Sequence, residues 1–372
     1  MGRIGTIKKM STKEYNSSEK DQNENARLVT QASTIEVFDG NVMQEFLKEI
    51  KKSGKKPGDT IYILELGGAD MKGATISRYN QQFFDTIAGM GYKVEIINAE
   101  YNADAIKTAN EMFGNRYTSV QIDLNNSPIE TLEKVAEKYT DGNKFDMVFS
   151  NYVLQHLAYP QEVMVGVQHV LSKNGLSMHR VPDDKLKVEG FHNTDGTKNE
   201  RANAAATRIV ELFLTTLLRS RTDRRLGGKL FDVCTTGYEN REGVNFNNAY
   251  DRIAVEVVEG KALPEEKKAY LERDFRWYMF ALEDAAQDPS DPEFQAKCSD
   301  AAKEGWENYK ILMEEFVQKD DTNYHYGEHE IIVSNELTME NTDTSYIDSN
   351  RTVFVVASCE NGKIRKDRSS AK

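Results

Sequence analysis

The sequence contains the stretch ILELGGAD at residues 63–70. Three apolar residues surround a single glutamate, Glu65, and the stretch then breaks at Gly67 and Gly68. A buried strand that runs into two glycines is typical of a sharp turn. It is equally typical of a place where the backbone approaches a ligand, because glycine has no side chain to keep the ligand away. The rest of the chain has to distinguish these two interpretations.

Short apolar runs alternate with helix-like segments on both sides of this stretch. The runs begin at residues 61, 93, 118, 145 and 175. Strands that alternate with helices of this length predict a parallel sheet that is wound on both faces. We therefore expect an α/β fold with a doubly wound, mostly parallel sheet.

The alternation stops after Pro182. Residues 184–325 have mainly helical periodicity, apart from the Gly- and Asn-rich residues 226–251, which we interpret as irregular loop. Two strand-like runs, at residues 329–339 and 351–358, close the chain. We expect them to form an antiparallel pair at the sheet edge, which makes seven strands with a large helical insertion before the pair.

Composition and charge exclude several classes of protein. The chain has 372 residues, of which 39% are hydrophobic and 29% charged, as in soluble globular proteins. Its formal net charge of -12 disfavours a nucleic-acid partner, because it would repel a phosphate backbone. No apolar run approaches the roughly 20 residues of a membrane helix, and the amino terminus lacks the apolar core of a secretory signal. Three widely separated cysteines disfavour disulfides and a zinc site. We expect a cytoplasmic protein.

Four acidic or amide residues end successive predicted strands: Glu65, Glu100, Asp123 and Asn151. The carboxyl ends of parallel strands meet at one edge of the sheet, and ligands bind in the crevice at that edge. One polar strand end would be ordinary, but four in order indicate a binding site. The sequence therefore favours the ligand interpretation of the glycine turn.

The types of these residues suit a nucleoside. Glu100 is placed to accept two hydrogen bonds from a ribose diol, and Asp123 is placed to accept one from an adenine amino group. The neighbouring Tyr101 and Leu124 are placed to sandwich the adenine ring. The set describes the nucleoside end of a ligand and leaves its other end open.

The sequence resembles the class I S-adenosylmethionine-dependent methyltransferases. ILELGGAD resembles their first motif, VEIINAEYNADAIKTA (94–109) the second and VQIDLNN (120–126) the third. The stretch that starts at KFDMVFSN (144–151) is similar to their fourth strand, the following helix and the fifth strand. The motifs stand in the family's order over residues 61–181.

The resemblance implies S-adenosyl-L-methionine as the cofactor. It places Glu65, Gly67, Gly68 and Ala69 in the first motif, and it places Asn151 near the amino-acid end of the cofactor and the methyl acceptor. Ala69 and Met71 stand where the family often has glycine.

The resemblance also divides the chain. We expect four parts: an N-terminal polar segment and helix that is a possible lid (1–58), an S-adenosylmethionine-binding Rossmann-like domain (59–183), a mainly helical substrate cap (184–325), and a C-terminal strand pair with a polar tail (326–372).

Methyl transfer from a sulfonium is an in-line displacement with an activated leaving group, so the protein mainly aligns the acceptor and excludes water. A base is needed only where the accepting atom carries a proton. The candidate catalytic residues are Tyr152 and His156, although a histidine at this position also suits helix packing. His179, Arg180 and Asp183 follow the fifth strand and could contact an acceptor.

His325 and His329 have the four-residue spacing of a helical metal pair. Gly327 and the strand-like run that follows argue against a helix there, so we expect no metal site.

Three functions remain open from the sequence. The leading hypothesis is a methyltransferase that acts on a small-molecule or peptide substrate, with the helical insertion as a cap. A nicotinamide-dependent dehydrogenase shares the ribose acid and the glycine turn, but the G-x-G-x-x-G pattern is missing. A non-catalytic binding protein with the methyltransferase fold is the third, favoured by Met71. The methyl acceptor and the oligomeric state are left open.

Overall fold

The computed structural model describes residues 40–68, 81–114, 116–182, 184–217, 226–236, 246, 248–287, 291–334, 347–348, 351–360 and 363–366. Ala69, Met71 and Asp183 lie outside the described residues, so the expectations for them are not addressed by the structure.

The first half of the described chain alternates strands and helices as expected. Its elements are α1 (Gly40–Lys52), β1 (Thr60–Leu66), α2 (Gln81–Gly89), β2 (Lys93–Glu100), α3 (Ala103–Phe113), β3 (Tyr117–Gln121), α4 (Pro128–Tyr139), β4 (Phe145–Asn151), a 3₁₀ turn (Leu154–His156), α5 (Pro160–Val170) and β5 (Leu171–Pro182). Proline opens α4 and α5, where its fixed φ suits the first turn and its missing N–H costs no helical hydrogen bond.

The second half is mainly helical but also contains strands. Its elements are α6 (Asp184–Val188), β6 (Phe191–Asn193), α7 (Glu200–Thr216), α8 (Gly227–Thr236), β7 (Asn248–Val258), α9 (Pro264–Leu271), a π turn (Glu272–Arg276), α10 (Trp277–Ala285), α11 (Pro292–Leu312), a second π turn (Met313–Val317), β8 (Thr322–Ser334), β9 (Ile347–Asp348), β10 (Arg351–Glu360) and β11 (Lys363–Lys366).

One sheet runs through the molecule in the order β11-β10-β7-β8-β5-β4-β1-β2-β3. Pairing is parallel from β3 to β5, and Ile63 at the centre pairs with Ile96 on one side and Met147 on the other. β6 and β9 pair with β8 and β10, which brings the described sheet to eleven strands. The predicted fold class, a doubly wound α/β sheet with antiparallel strands at the C-terminal end, is confirmed.

The pairing of the closing strands differs from the prediction. β7 lies between β8 and β10 and pairs antiparallel with both, so β8 and β10 are not partners. Residues 226–251, expected to be loop, contain α8 and the start of β7 among their described residues. The strand was missed because it carries charge inside the sheet: Asp251 and Arg252 are only 5% and 3% exposed. Their partners, His329 and Glu330, come from β8 and compensate their burial.

Helices cover both faces of the sheet. Phe46 of α1 and Phe83 of α2 pack with Ile63 on one face, and Leu132 of α4 and Val163 of α5 pack with other sheet residues on the opposite face. A further cluster joins α7, α10 and α11 to β6 and β8. This helical cluster lies beyond the carboxyl end of β5, where the chain leaves the parallel sheet. No described helix has the length and apolar composition needed to cross a membrane.

Candidate functional site

The glycine turn after β1 is closed to side chains on its inner side. Gly67 has φ +67°, a conformation that glycine adopts without strain, and its N–H donates to the carbonyl of Ala99 at 2.7 Å. A Cβ on Gly67 would lie 2.5 Å from Cγ2 of Val153, and one on Gly68 would lie 2.3 Å from Cδ of Glu65. Both distances are far below van der Waals contact, so a side chain at either position would have to displace Val153 or Glu65.

Glu65 supports this turn from inside the sheet. Its side chain is 1% exposed and lies directly against Gly68. The N–H of Gly68 donates to Oδ1 of Asn98 on β2 at 3.2 Å, which ties the turn to the neighbouring strand. The backbone of Gly67 itself is exposed at the edge. The turn therefore presents a fixed backbone surface to a ligand.

At the end of β2, backbone N–H groups of the loop that follows hold the Glu100 carboxylate. Oε1 accepts from the N–H of Tyr101 at 2.7 Å and from that of Asn102 at 3.0 Å. Asn102 in turn caps α3 by accepting from the N–H of Asp104 at 2.9 Å. Tyr101 is 37% exposed, so its ring is accessible at the edge. The Glu100 carboxylate is thus fixed at the sheet edge, and the exposed Tyr101 follows it; its binding of a ribose stays a prediction.

Asp123 and Leu124 follow β3 at the same edge. Oδ1 of Asp123 accepts from the N–H of Asn125 at 2.9 Å, and Leu124 is buried against the sheet core. Asn125 accepts from the N–H of Ala158 at 2.8 Å, which links this loop to the segment after β4. The loop after β3 is therefore joined to the segment after β4.

Asn151, the last residue of β4, has an unsatisfied hydrogen-bond acceptor among the described residues. Its Oδ1 atom is buried and has no hydrogen-bond partner among the described residues, and the same holds for Oε1 of Gln155. A buried acceptor without a donor costs about 1–3 kcal/mol. Gln155 is anchored by its other end, since Nε2 donates to the carbonyl of Tyr152 at 2.6 Å. Both oxygens suit a ligand that brings N–H donors, as the ammonium and adenine amino groups of S-adenosyl-L-methionine do.

Gln155 is a candidate that the sequence reasoning missed. In the sequence it is one polar residue in LQHL, with no spacing or motif that marks it. Only its 1% exposure and its unpartnered oxygen single it out.

Tyr152 has an unusual backbone for a residue with a side chain. Its φ is +55°, in the left-handed region, and its N–H donates to the carbonyl of Arg180 at 3.0 Å. Such a conformation costs about 1–3 kcal/mol and persists where surrounding contacts enforce it, often at functional sites. Its hydroxyl is hydrogen-bonded to that of Tyr326 on β8. Through this hydrogen bond the Tyr152 side chain contacts the helical cluster, to which Tyr326 belongs.

His156 lies in the 3₁₀ turn that follows, on the same segment as Tyr152, and is partly buried. The backbone N–H of His156 donates to the carbonyl of Val153 at 2.9 Å. Its catalytic role stays a prediction.

His179 does not face an acceptor, contrary to expectation. It lies fully buried inside the sheet, with Nδ1 2.7 Å from Oγ of Ser150 and Nε2 2.6 Å from Oγ of Ser177. Burial lowers its pKa to about 3, so the ring is neutral. Strand alternation turns the adjacent Arg180 to the other face, where it is paired with Glu330.

The two histidines considered as a metal pair lie on a strand. His329 Nδ1 is 2.7 Å from Oδ1 of Asp251, and the His325 ring packs at 4.8 Å from that of His192. Within the described ranges, no group of three or more His, Cys, Asp or Glu side chains could hold a metal ion.

A family model described as a methyltransferase domain matches residues 74–221. No curated protein sequence matches this chain.

Many solved structures are similar to this one at low sequence identity. A DszA carbon methyltransferase is 15% identical, with 38% of this chain and 34% of that one covered and a TM-score of 0.29. The plantazolicin methyltransferase BamL, in complex with a triazolic desmethylPZN analog and S-adenosylhomocysteine (SAH), is 13% identical over 85% and 87%, with a TM-score of 0.33. A loganic acid methyltransferase with SAH is 10% identical over 88% and 99%, with a TM-score of 0.47. The chain thus spans about a third of the first of these proteins and most of the other two.

The strand order β3-β2-β1-β4-β5 is that of a doubly wound nucleotide-binding sheet, and the polar residues converge at its carboxyl edge. Over residues 74–221, the chain is also similar to the family model of a methyltransferase domain.

Proposed function

We propose that this protein transfers a methyl group to a small-molecule or peptide acceptor, which is held between the carboxyl edge of the sheet and a helical cap formed by residues 184–325. The observation that carries the proposal is the hydrogen bond between Tyr152, at the edge, and Tyr326, in the helical cluster. It brings the second half of the chain to the end of β4, where an acceptor has to meet the methyl group.

The edge residues have separate roles in binding the methyl donor. The backbone at Gly67 and Gly68 lies along the donor, since no side chain fits on the inner side of the turn. Glu100 accepts from the ribose hydroxyls, and Asp123 accepts from the adenine amino group. Asn151 accepts from the ammonium group, which would satisfy its buried oxygen.

The donor, when bound, supplies an electrophilic methyl group on a sulfonium. The protein's part is then to align the acceptor and to exclude water. Tyr152 and His156 follow β4 directly and are the candidates to contact the acceptor. If the accepting atom carries a proton, one of them can take it up or relay it.

The helical cap gives this site an enclosing wall. Its core is well packed: Phe191 stacks on Tyr324 at a ring-centroid distance of 4.4 Å, and Phe316 meets both rings edge to face. A packed wall of this kind suits a small or extended acceptor better than a large folded partner. The net charge of -12 disfavours nucleic acid.

Calorimetric titration with S-adenosyl-L-methionine, SAH and NAD tests the donor site. We expect the first two to bind and NAD not to bind. Glu100→Ala should weaken SAH binding about 10- to 100-fold, because hydrogen bonds to a carboxylate contribute about 1.5–3 kcal/mol. Glu95→Ala is the matched control, since Glu95 lies exposed on the same strand; it should bind as the wild type does.

Three outcomes would count against the proposed site. Tight NAD binding would favour a dehydrogenase, and binding of none of the ligands would favour a non-catalytic protein. Equal losses in the two glutamate variants would remove Glu100 from the site.

Methyl transfer itself is tested with a donor that carries a tritium-labelled methyl group. The acceptors would be a panel of small carboxylic acids, amines and phenols and a set of short peptides. We expect acceptor-dependent label in one class, with one SAH formed per methyl transferred. Donor binding without label in any class would support the non-catalytic alternative.

A further inference from the structure

Tyr152 has a backbone conformation that a residue of its type rarely adopts. Among the described residues, three other than glycine have a positive φ: Ser127, Asp141 and Tyr152. Short polar residues such as aspartate reach the left-handed region more readily, but a bulky aromatic residue there is an outlier. The conformation at Tyr152 therefore has to be held in place by its surroundings.

Hydrogen bonds hold the backbone of Tyr152 on both sides of its Cα. The N–H donates to the carbonyl of Arg180 at 3.0 Å, which continues the parallel pairing of Asn151 with Arg180. The carbonyl of Tyr152 accepts from Nε2 of Gln155 at 2.6 Å. The first bond belongs to the sheet, whereas the second comes from a side chain three residues further on. Gln155 thus fixes the peptide group that follows Tyr152.

The direction of the second bond is settled by the chemistry of its partners. A backbone carbonyl can only accept, so the amide of Gln155 presents its NH₂ end to Tyr152. The other end of the amide, Oε1, is buried and has no hydrogen-bond partner among the described residues. The Gln155 residue as a whole is 1% exposed.

The position of Gln155 is itself fixed by its turn. It lies in the 3₁₀ turn Leu154–His156, which is closed by the N–H of Leu157 donating to the carbonyl of Leu154 at 3.2 Å. Leu154 is fully buried in the core on one face of the sheet. A buried side chain on such a turn has few rotamers open to it, so its hydrogen bond restrains Tyr152 effectively.

Stability alone would not favour a glutamine at this position. A buried acceptor without a donor destabilises the folded state, and this loss can outweigh the gain from the one hydrogen bond that Nε2 makes. Methionine has a similar length and shape and carries no such acceptor. Residues that break a local rule of this kind are expected where function requires them.

We propose that Gln155 is a positioning residue for methyl transfer: it holds Tyr152 in the left-handed conformation and so fixes where the Tyr152 side chain lies. This inference rests on the proposed function, in which Tyr152 contacts the acceptor, and deepens it. The Tyr152 hydroxyl is hydrogen-bonded to that of Tyr326 in the helical cluster. A Tyr152 that relaxed to another backbone region would turn its side chain elsewhere and lose this contact.

Fluorine NMR tests the positioning without an acceptor. Fluorotyrosine is placed at position 152 of the full chain, with and without Gln155→Met. The parent protein should give one signal. The variant should give a displaced signal or a second one, because the backbone at residue 152 is released.

Gln121→Met is the matched control. Its Nε2 also donates to a tyrosine carbonyl, that of Tyr101 at 3.1 Å, but in a different loop. It should leave the signal of residue 152 unchanged. An unchanged signal in Gln155→Met, or an equal change in Gln121→Met, would overturn the inference.

Urea denaturation separates positioning from a role in stability. Gln155→Met loses one hydrogen bond, but it also removes the unsatisfied oxygen and releases the strain at Tyr152. Its urea midpoint should therefore equal or exceed that of the wild type. A lower midpoint would show that the hydrogen bond serves folding and would overturn the inference.

Kinetics with an acceptor found in the panel give the third readout. At saturating methyl donor, Gln155→Met should lower kcat about 10-fold, because the loss of one hydrogen bond is enough to depopulate the required arrangement of Tyr152. Tyr152→Gly removes the side chain, so Gln155→Met should lower kcat no further in that background. A wild-type kcat in Gln155→Met, or losses that multiply in the double variant, would overturn the inference.

The two proposals fail separately. Loss of SAH binding in the wild type would reject the proposed function, and the fluorine spectra would still report whether Gln155 holds Tyr152.

Discussion

Lowering the pH should destabilise this protein through His179. The ring is fully buried between Ser150 and Ser177, and burial lowers its pKa from 6.5 to about 3. As the pH falls below 6.5, the unfolded chain takes up a proton at this residue while the folded chain does not. Stability is therefore complete above pH 6.5 and declines from there towards pH 3.

The size of this loss follows from the two pKa values. At pH 5 the solution lies 1.5 units below the unfolded pKa of 6.5 and well above the folded pKa of about 3. Each unit corresponds to about 1.4 kcal/mol, so this one histidine should cost about 2 kcal/mol of unfolding free energy between pH 8 and pH 5.

Urea denaturation at pH 8 and pH 5, followed by tryptophan fluorescence, measures the effect. The wild type should lose about 2 kcal/mol more than His179→Gln, whose side chain does not titrate. His169→Gln is the control: this imidazole is 48% exposed, and its removal should leave the wild-type difference intact.

Equal losses in the wild type and His179→Gln would refute the reasoning. NMR of the folded wild type gives a check that does not depend on the variant's stability. A ring of His179 that gains a proton between pH 7 and pH 5 would contradict the burial argument directly.

Two further predictions concern the glycine turn and the cap. Gly68→Ala should weaken SAH binding at least 10-fold in calorimetry, because its Cβ would stand 2.3 Å from Cδ of the buried Glu65; Gly89→Ala, with nothing within 4 Å, should bind normally. Wild-type affinity in Gly68→Ala would show that the turn can relax. Lys267→Met should destabilise the protein by about 3 kcal/mol in urea denaturation, because Nζ is the donor to two carbonyls at 2.8 and 2.9 Å. Lys268→Met, an exposed neighbour, should change stability by less than about 1 kcal/mol, and similar losses in both would contradict the argument.

The parallel half of the fold could be predicted because its signals are local. Each strand is one apolar run, and each turn follows from residues adjacent in sequence. β1 and β4, for example, are mostly apolar, and a continuous apolar run of this length indicates a central strand. The structure buries both strands over almost their whole length. The polar residues that end them then fall at one edge by geometry.

β7 shows where local signals fail. Its Asp251 and Arg252 look like loop residues in the sequence. They are compatible with a buried strand only because they are hydrogen-bonded to His329 and Glu330, 78 residues further on. No short-range pattern reports a pairing of that kind.

Some residues of the candidate site could likewise be predicted from local sequence, and others could not. The positions of Glu65, Glu100, Asp123 and Asn151 at the ends of strands could be predicted from the sequence, and their binding of a ligand stays a prediction. Gln155 could not, because its significance lies in a buried oxygen that lacks a donor among the described residues. His179 was expected at the edge, but the alternation of β5 turns it into the core.

The sheet edge, the glycine turn and the order of the polar residues at the strand ends follow from the sequence, because hydrophobic period and glycine position act over a few residues. The way in which this edge meets the second half of the chain follows only from the folded structure. Tyr152 and Tyr326 are 174 residues apart, yet their hydroxyl groups are hydrogen-bonded. The two cations that lie over the Tyr326 ring, Lys187 and Arg273, come from α6 and the first π turn. Contacts at such separations depend on how whole elements pack, and packing is a property of the folded chain rather than of any segment of it.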